Sequence, residues 1–531
     1  MTTAIREVNN SIWFSLEEHL TPLPTDTKES RVWHVLPAIV LLPSGILTGC
    51  LAGAAKVIDY AVSIFSWKRP EDPFKDFSAV LRDSRLWKSL GNLEKAPPPG
   101  KGNPNFLFGA ATCTYQDSGA KNCPNSQWAN WERANLPEEN QSGESANLFQ
   151  LYQTAKGRAE IYDRLHKLGV NSYRFSIEWS HIEPKQGEFN LKNLQVYVDF
   201  CKYLRDHGIT PVITLHHFSE PKWFHEMGSF ENEENIHHFV TFAKKIFPYL
   251  TRSYQGHSLV EHFCTINEPG TEALSRFIRG VFSPGTFFNF TRAGHFLKGV
   301  LKAHCVAYKA LKNIAPKAHI GIVHQYISFT ATNWLVFPVT RYLTRLVNDV
   351  IMNFFKTGTF ELKIPFSCHI VEKNLQPKTD FVGLQYYVRP IIGLTGPTSY
   401  YNEPMTQMPF HEDPEGLYEA ILEAYKAFRA PVIVTENGIS THDEAQRFRY
   451  MQRALYAVRK AQEKIGEKNL LGYFVWALSN NFEWDMGMKP QAFGAYQVHS
   501  GRLDPMPKKG MNAFIKVVEA WKRTWATARA A

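Results

Sequence analysis

The sequence predicts an α/β fold of the (β/α)8 TIM-barrel class, and three observations carry that expectation. Eight short, β-prone apolar runs recur from residue 105 onward. Amphipathic helical patterns separate them. No run leads into the Gly-x-Gly-x-x-Gly phosphate loop that an open doubly wound sheet would use. Strands that are apolar along their length and alternate with helices form a parallel sheet buried on both faces. Eight such units close into a barrel, larger here than the typical ~250 residues because the loops are long.

The runs read, in order, NFLFGAAT (105–112), GVNSYRFSI (169–177), TPVITLHHF (210–218) and VEHFCTI (260–266). They continue with AHIGIVHQY (318–326), TDFVGLQYY (379–387), APVIVTE (430–436) and NLLGYFVWAL (469–478). Between them lie helical patterns such as AEIYDRLHKLG and LQVYVDFCKYLRDHG, the second stopped by Gly208. The barrel domain is expected over 105–531. A Pro/Gly-rich stretch, KAPPPGKGNPN, ends a linker assigned to 68–104.

Ahead of the linker the composition changes. Residues 1–34 are polar and mixed in charge, whereas Val35 to Ala55 holds 21 residues without a charge. A run of about 20 apolar residues matches the bilayer core. Gly45, Gly49 and Gly53 form a row of small residues that lets membrane helices approach closely. The expectation is a membrane-associated, helical segment over 35–67, with a transmembrane helix as its simplest form. Pro37 and Pro43 suit a re-entrant hairpin equally well, and a soluble appendage packed on the barrel is the competing reading. Basic residues flank both ends, so orientation is not encoded in charge asymmetry.

Composition narrows the function classes. Of 531 residues 44% are hydrophobic and 21% charged, which describes a chain that folds. The net charge of +9 is dispersed, without a dense basic run interleaved with aromatics, so nucleic acid is not an expected partner. Seven cysteines are odd in number and scattered, with no Cys-x-x-Cys or Cys/His ligand spacing. They read as reduced thiols, placing the catalytic domain in a reducing compartment, membrane-associated or, alternatively, soluble in the cytoplasm. No metal and no cofactor are expected.

Two strands end on a carboxylate. FCTINEPG brings Glu268 to the end of the fourth strand, and PVIVTENGIS brings Glu436 to the end of the seventh. In this fold the strand C-termini open on the active site, so both glutamates can face one pocket. Paired carboxylates without metal-ligand histidines suit glycosidic bond cleavage: one acid protonates the leaving oxygen, and the other attacks the anomeric carbon. A structural ion pair and a carboxylate-held divalent cation are the alternatives on these residues alone.

From residue 104 to about 505 the chain closely resembles glycoside hydrolase family 1, the β-glucosidase family. TINEP resembles that family's acid/base motif and VTENG its nucleophile motif. The resemblance implies a retaining, two-glutamate double displacement with Glu268 as acid/base and Glu436 as nucleophile. It further implies Arg174, Asn267 and Tyr387 as catalytic support, and Gln116, His217, Trp476, Glu483 and Trp484 as substrate-binding residues. The physical expectations are that Arg174 and Tyr387 hold the pKa of Glu436 down and a less polar setting raises that of Glu268. The carboxyl groups of a retaining pair lie about 5 Å apart. Three positions depart from the family's pattern: Gln385, Ser118 and Asn480 stand where Asn, Glu and Asp are usual. Members acting on 6-phospho sugars replace the Glu-Trp pair. Its retention as Glu483-Trp484 implies an unphosphorylated β-glucoside or β-galactoside.

The apolar N-terminus with HHFSEPKWF and DPEGLYEAI also resembles the plant galactolipid-remodelling branch, which implies glycosyl transfer between membrane lipids as an alternative. A catalytically dead sugar-binding module on the same barrel is the reading from a different class, since fold alone confers no activity. Against it, both glutamates and their supporting residues are kept.

Overall fold

Eight parallel strands close into a barrel in chain order in the computed structural model, which describes residues 98–394, 396–398, 406–408, 412–488 and 491–530. They are β1 (Leu107–Ala111), β2 (Ser172–Ser176), β3 (Thr210–His216), β4 (His262–Ile266), β5 (His319–Gln325), β6 (Phe381–Gln385), β7 (Val432–Asn437) and β8 (Leu470–Trp476). The seam joins β8 to β1, with Leu107 beside Gly472 and Ala111 beside Trp476. Each observed strand lies within the apolar run that predicts it, except that β7 extends one residue further.

The helices follow from local signals. α1 (Ala155–Leu168) starts where the Thr154 hydroxyl accepts from the Gly157 N–H and stops at Gly169, whose φ of 75° requires glycine. α2 (Leu191–Asp206) is capped by Asn190. α3 (Ile236–Leu250) buries Phe239, Phe242, Ile246 and Phe247. α4 (Pro269–Phe277) begins with proline in its first turn, and α5 (Phe290–Ile314) is capped by Asn289. After β5 the chain adds α6 (Phe337–Thr344) and α7 (Val350–Thr357). The outer layer closes with α8 (Gly416–Phe428), α9 (Glu444–Ile465) and α10 (Asn512–Ala530).

Alternating side chains divide the core into two layers. Phe175, Ile213, Phe263, Ile320, Val382, Val434 and Val475 point outward against the helices. Leu107, Val212, Cys264, Val323, Ile433 and Phe474 fill the barrel interior. Two glycines make room there: a Cβ on Gly109 would sit 2.2 Å from the Phe474 ring, and one on Gly321 would sit 2.6 Å from that of Phe381. The packed interior is a floor beneath the strand C-termini, where polar side chains take over.

Residues 1–34 and the apolar stretch 35–67 lie outside the described residues, as does the linker up to residue 97. Among the described residues no helix is long and apolar enough to cross a membrane, so the transmembrane expectation has no support from them. The last residues of the expected linker are not free of the barrel: the Gly100 N–H donates to Gln462, and the Trp521 indole donates to the Asn103 carbonyl. All six described cysteines are free thiols.

Candidate active site

Glu436 owes its direction to an irregularity. Strict alternation along β7 would set Ile433 and Thr435 inward and turn residue 436 toward the helices. The register shifts between Leu384 and Gln385 on one side and between Val434 and Asn437 on the other, as in a β-bulge that re-aims one side chain. Glu436 thereby meets Arg174: its Oε1 accepts from Nη1 at 2.5 Å, and its Oε2 accepts from the Tyr387 hydroxyl at 2.6 Å. Arg174 lies on β2 with its side chain fully buried. It is oriented by Nε donating to the Thr214 hydroxyl at 3.0 Å and Nη2 to Asn267 Oδ1 at 2.6 Å. It does not pair with Glu178, whose carboxylate takes the hydroxyls of Ser180 and Ser219.

Glu268 caps α4 in a left-handed conformation, φ 40° and ψ 62°, uncommon for a residue with a side chain. Its N–H donates to the Val323 carbonyl at 3.0 Å, tying it to β5. The Thr271 hydroxyl lies beside Glu268 and donates its one proton to Gln325 Oε1 at 2.6 Å. Asn267 joins the groups: its Oδ1 accepts from Arg174 and from Gln385 Nε2 at 2.9 Å, and its Nδ2 contacts His217 Nε2 at 3.1 Å. The longer Gln385 therefore fits by reaching Asn267.

The two carboxyls differ in proton affinity. Burial and the neighbouring charge of Glu436 push Glu268 well above the ordinary carboxyl range, only partly opposed by Thr271 and Arg174. Burial also raises Glu436, while Arg174, Tyr387 and Gln385 oppose it. The expectation that Arg174 and Tyr387 hold Glu436 low is corrected to that extent: burial outweighs them, and they leave it above its ordinary value. The order is the one that matters for the chemistry. Glu268 keeps its proton more tightly than Glu436, so at intermediate pH one is acid and the other anion.

The remaining expected residues gather at the other end of the same site. Gln116 donates one N–H of its Nε2 to the Phe482 carbonyl at 2.7 Å, and its oxygen is free to accept. His217 is kept neutral by burial and by the charge of Arg174. With Asn267 donating to Nε2, its proton sits on Nδ1. The indole of Trp476 supports Glu483, whose carboxyl is raised well above the ordinary range by burial and by Asp485 and Glu436. Gln116 Oε1, His217 Nδ1 and Glu483 Oε1 are buried without a protein partner. Buried polar atoms left open in this way mark where a polar ligand completes the hydrogen bonding. The two indoles are not equivalent: one face of Trp484 is covered by Tyr115, stacked at 5.8 Å, while Trp476 lies 6.0 Å from the His217 ring. All ten expected residues thus share one site.

A layer behind Glu268 is not foreseen from sequence. Arg276 on α4 donates to Glu220 at 2.9 Å and pairs with Glu272 at 2.7 Å. Glu272 contacts His216 at 2.9 Å, and Glu220 contacts His225 at 2.7 Å. The one signal in the sequence is the four-residue spacing of Glu272 and Arg276 on a helix. Among the described residues no group of histidine, cysteine and carboxylate side chains is arranged to hold a metal ion.

A buried carboxyl pair at the C-terminal mouth of an eight-stranded barrel, with open hydrogen-bonding groups and indoles beside it, defines the class of barrel glycoside hydrolases. Comparison with known proteins specifies the family. The Glycosyl hydrolase family 1 model matches residues 102–333 and 371–522, and the chain belongs to that family. A 6-phospho-beta-galactosidase of Staphylococcus haemolyticus is 25% identical over 482 residues, covering 78% of this chain and 98% of that enzyme. The beta-glycosidase from Pyrococcus horikoshii is 28% identical with a TM-score of 0.69, covering 80% of this chain and 98% of its own. The beta-glucosidase from Thermotoga maritima, solved in complex with deoxynojirimycin, is 25% identical with a TM-score of 0.68, covering 79% and 99%.

Proposed function

We propose that this glycoside hydrolase is a retaining β-glycosidase for unphosphorylated β-glucosides or β-galactosides, with Glu436 as nucleophile and Glu268 as acid/base. The asymmetry of the carboxyl pair supports these roles best. Glu436 is gripped by a guanidinium and a phenol, which favour its anion, whereas Glu268 has a threonine hydroxyl and a proton-retaining setting. Attack by Glu436 on the anomeric carbon, with proton donation from Glu268 to the leaving oxygen, gives a glycosyl–enzyme and removes the charge of Glu436. That charge is what helps to keep Glu268 protonated, so its loss lowers the pKa of Glu268 and readies it to deprotonate the incoming water. Arg174, Asn267 and Tyr387 hold the pair, and Gln116, His217 and Glu483 receive sugar hydroxyls between Trp476 and Trp484.

The plain glycone rests on charge. Gln116, neutral His217 and the acidic Glu483 offer no cation to a phosphate dianion, although staphylococcal relatives act on phosphorylated galactosides by name. Transfer to a membrane galactolipid would use the same intermediate with a different acceptor. Membrane association through residues 35–67 belongs to the same proposal and rests on their uncharged run.

Proton NMR of aryl β-glucoside cleavage should show the β-anomer of free sugar first. The aryl 6-phospho-β-glycosides should turn over far more slowly. Glu436→Gly should lose roughly 10⁴-fold or more of turnover and, given azide, form the α-glycosyl azide. Glu268→Ala given azide should form the β-azide. An α-anomer as first product, or wild-type turnover in Glu436→Gly, would overturn the assignment.

A further inference from the structure

Residues 334–370 fall between the two stretches that match the family model. They hold six of the thirteen exposed large hydrophobic side chains among the described residues: Trp334, Leu335, Phe337, Val339, Tyr342 and Phe366. Trp334 is 72% exposed and Leu335 53%, and Phe366 at a hairpin tip is fully exposed. Scattered apolar side chains on a surface need no explanation, but a cluster of this kind does.

The helix in this segment is inside out. α6 buries Thr340. Thr344 accepts from the Phe329 N–H at 2.9 Å, and Asn348, one turn on, exchanges hydrogen bonds with the Ile327 backbone. Its polar side therefore faces the protein, while Val339 and Tyr342 face outward and Phe337 is exposed at the first turn. An amphipathic helix that turns its apolar face away from the core is built for another apolar phase.

The helical part of the segment leaves the barrel at the strand end where the site opens. Phe366 stands at the tip of the hairpin formed by Phe360–Ile364 and Cys368–Glu372. The whole segment follows the C-terminal end of β5. It also packs behind Glu268: a Cβ on Gly270 would lie 3.2 Å from Ile351 and 3.7 Å from the Val347 carbonyl.

Charge decides between occupants. Between residues 334 and 370 stand Arg341, Arg345, Lys356 and Lys363 against Asp349 and Glu361, an excess of two positive charges. In an isologous contact between two copies, each patch meets itself, which would bring these like charges together. A protruding, fully exposed phenylalanine suits insertion better than flat packing. Anionic lipid headgroups answer the cations, and Trp, Tyr and Phe suit the boundary between headgroup and acyl chain.

We propose that residues 334–345 and 365–367 dock on an anionic lipid bilayer, laying the rim of the candidate active site against the membrane. The docking is independent of the catalytic roles assigned above. It is also distinct from any anchoring by residues 35–67, so its test must localise contact within the full chain. Hydrogen–deuterium exchange of the full-length protein should be compared without lipid, with pure phosphatidylcholine vesicles, and with vesicles containing phosphatidylglycerol. Amides of 334–339 and 365–367 should exchange at least fivefold more slowly on the anionic vesicles than without lipid, and less so on the neutral ones. The full chain carrying Trp334→Ser, Phe337→Ser and Phe366→Ser should lose that slowing while keeping its turnover of a soluble aryl β-glucoside. Unchanged exchange at these amides in the presence of anionic vesicles would overturn the proposal, whether or not the protein sediments with them. Slowing that appears without lipid as protein concentration rises would also overturn it, in favour of a second copy.

Discussion

At the scale of the residue, the Tyr387 hydroxyl is the most informative single atom around Glu436. It donates at 2.6 Å to the oxygen that Arg174 does not hold, and it opposes the rise that burial imposes on the carboxyl. Tyr387→Phe removes that donor and leaves Arg174 in place. The pKa of Glu436 then rises further, so the acidic limb of kcat/KM should move to higher pH, the direction opposite to that for a lost carboxylate neighbour. A hydrogen bond to a charged group contributes about 1.5–3 kcal/mol, so turnover should fall roughly 10- to 150-fold. A pH profile of the variant checks both, and an unmoved acidic limb would remove Tyr387 from the machinery. This residue is legible in the sequence because it belongs to a short motif at a strand end. The fit of Gln385 is not: whether a longer amide clashes or reaches depends on where Asn267 stands, and those residues are 118 positions apart. Proton affinity is equally hidden, since it depends on burial that no local pattern reports.

Among the elements, α4 sets the position of Glu268, because that glutamate is its cap. Both ends of the short helix are fixed, the first by the Glu268 N–H on β5 and the second by Arg276 between Glu220 and Glu272. Burial acts to raise Glu220, but Arg276 and His225 overcome it and leave the carboxyl well below its ordinary range. A depressed folded pKa contributes stability that is present above the unfolded value, near 4.5 for a glutamate, and lost as pH falls below it. Arg276→Met removes the guanidinium that both buried carboxylates share and leaves each with a histidine contact, which costs about 3–5 kcal/mol. Its thermal midpoint should fall sharply at pH 7, and the gap to the parent should narrow as pH falls from about 4.5 to about 3. A constant gap across that range would show that the ion pairs contribute nothing to the loss. The strands that carry this arrangement are readable as periodic apolar runs. The bulge that turns Glu436 inward is not, because a one-residue register shift leaves the apolar pattern intact. The Glu220–Arg276 pair is similarly opaque, its members being 56 residues apart on different elements.

For the whole molecule, closing the barrel joins the first element to the last, and a short strap ahead of β1 takes part. The Gly100 N–H donates at 2.8 Å to Gln462 on α9, and the same side chain holds the Leu470 carbonyl at the start of β8. On α10, Trp521 donates to the Asn103 carbonyl at 3.0 Å, and its ring lies 5.2 Å from that of Phe108 on β1. Gly102 donates to Thr524 on the same helix. Residues 100–103 thus pin α9 and α10 across the seam where β8 meets β1. Composition alone assigns this strap to a linker, because proline and glycine mark flexible connections and rigid turns alike. The two meanings predict different truncations. A chain beginning at residue 98 keeps every one of these contacts and should match the full chain in thermal midpoint and in turnover of a soluble aryl β-glucoside. A chain beginning at 104 leaves the Trp521 indole N–H without its acceptor, takes the Gly100 donor from Gln462 and uncovers the buried Phe106, which costs about 1–3 kcal/mol. Its midpoint should drop by several degrees with turnover at low temperature preserved, since the strap is at the opposite end of the strands from Glu268 and Glu436. Equal midpoints for the two truncations would mean that the strap only rests on the seam; a loss of turnover at low temperature would mean that the seam governs the site itself.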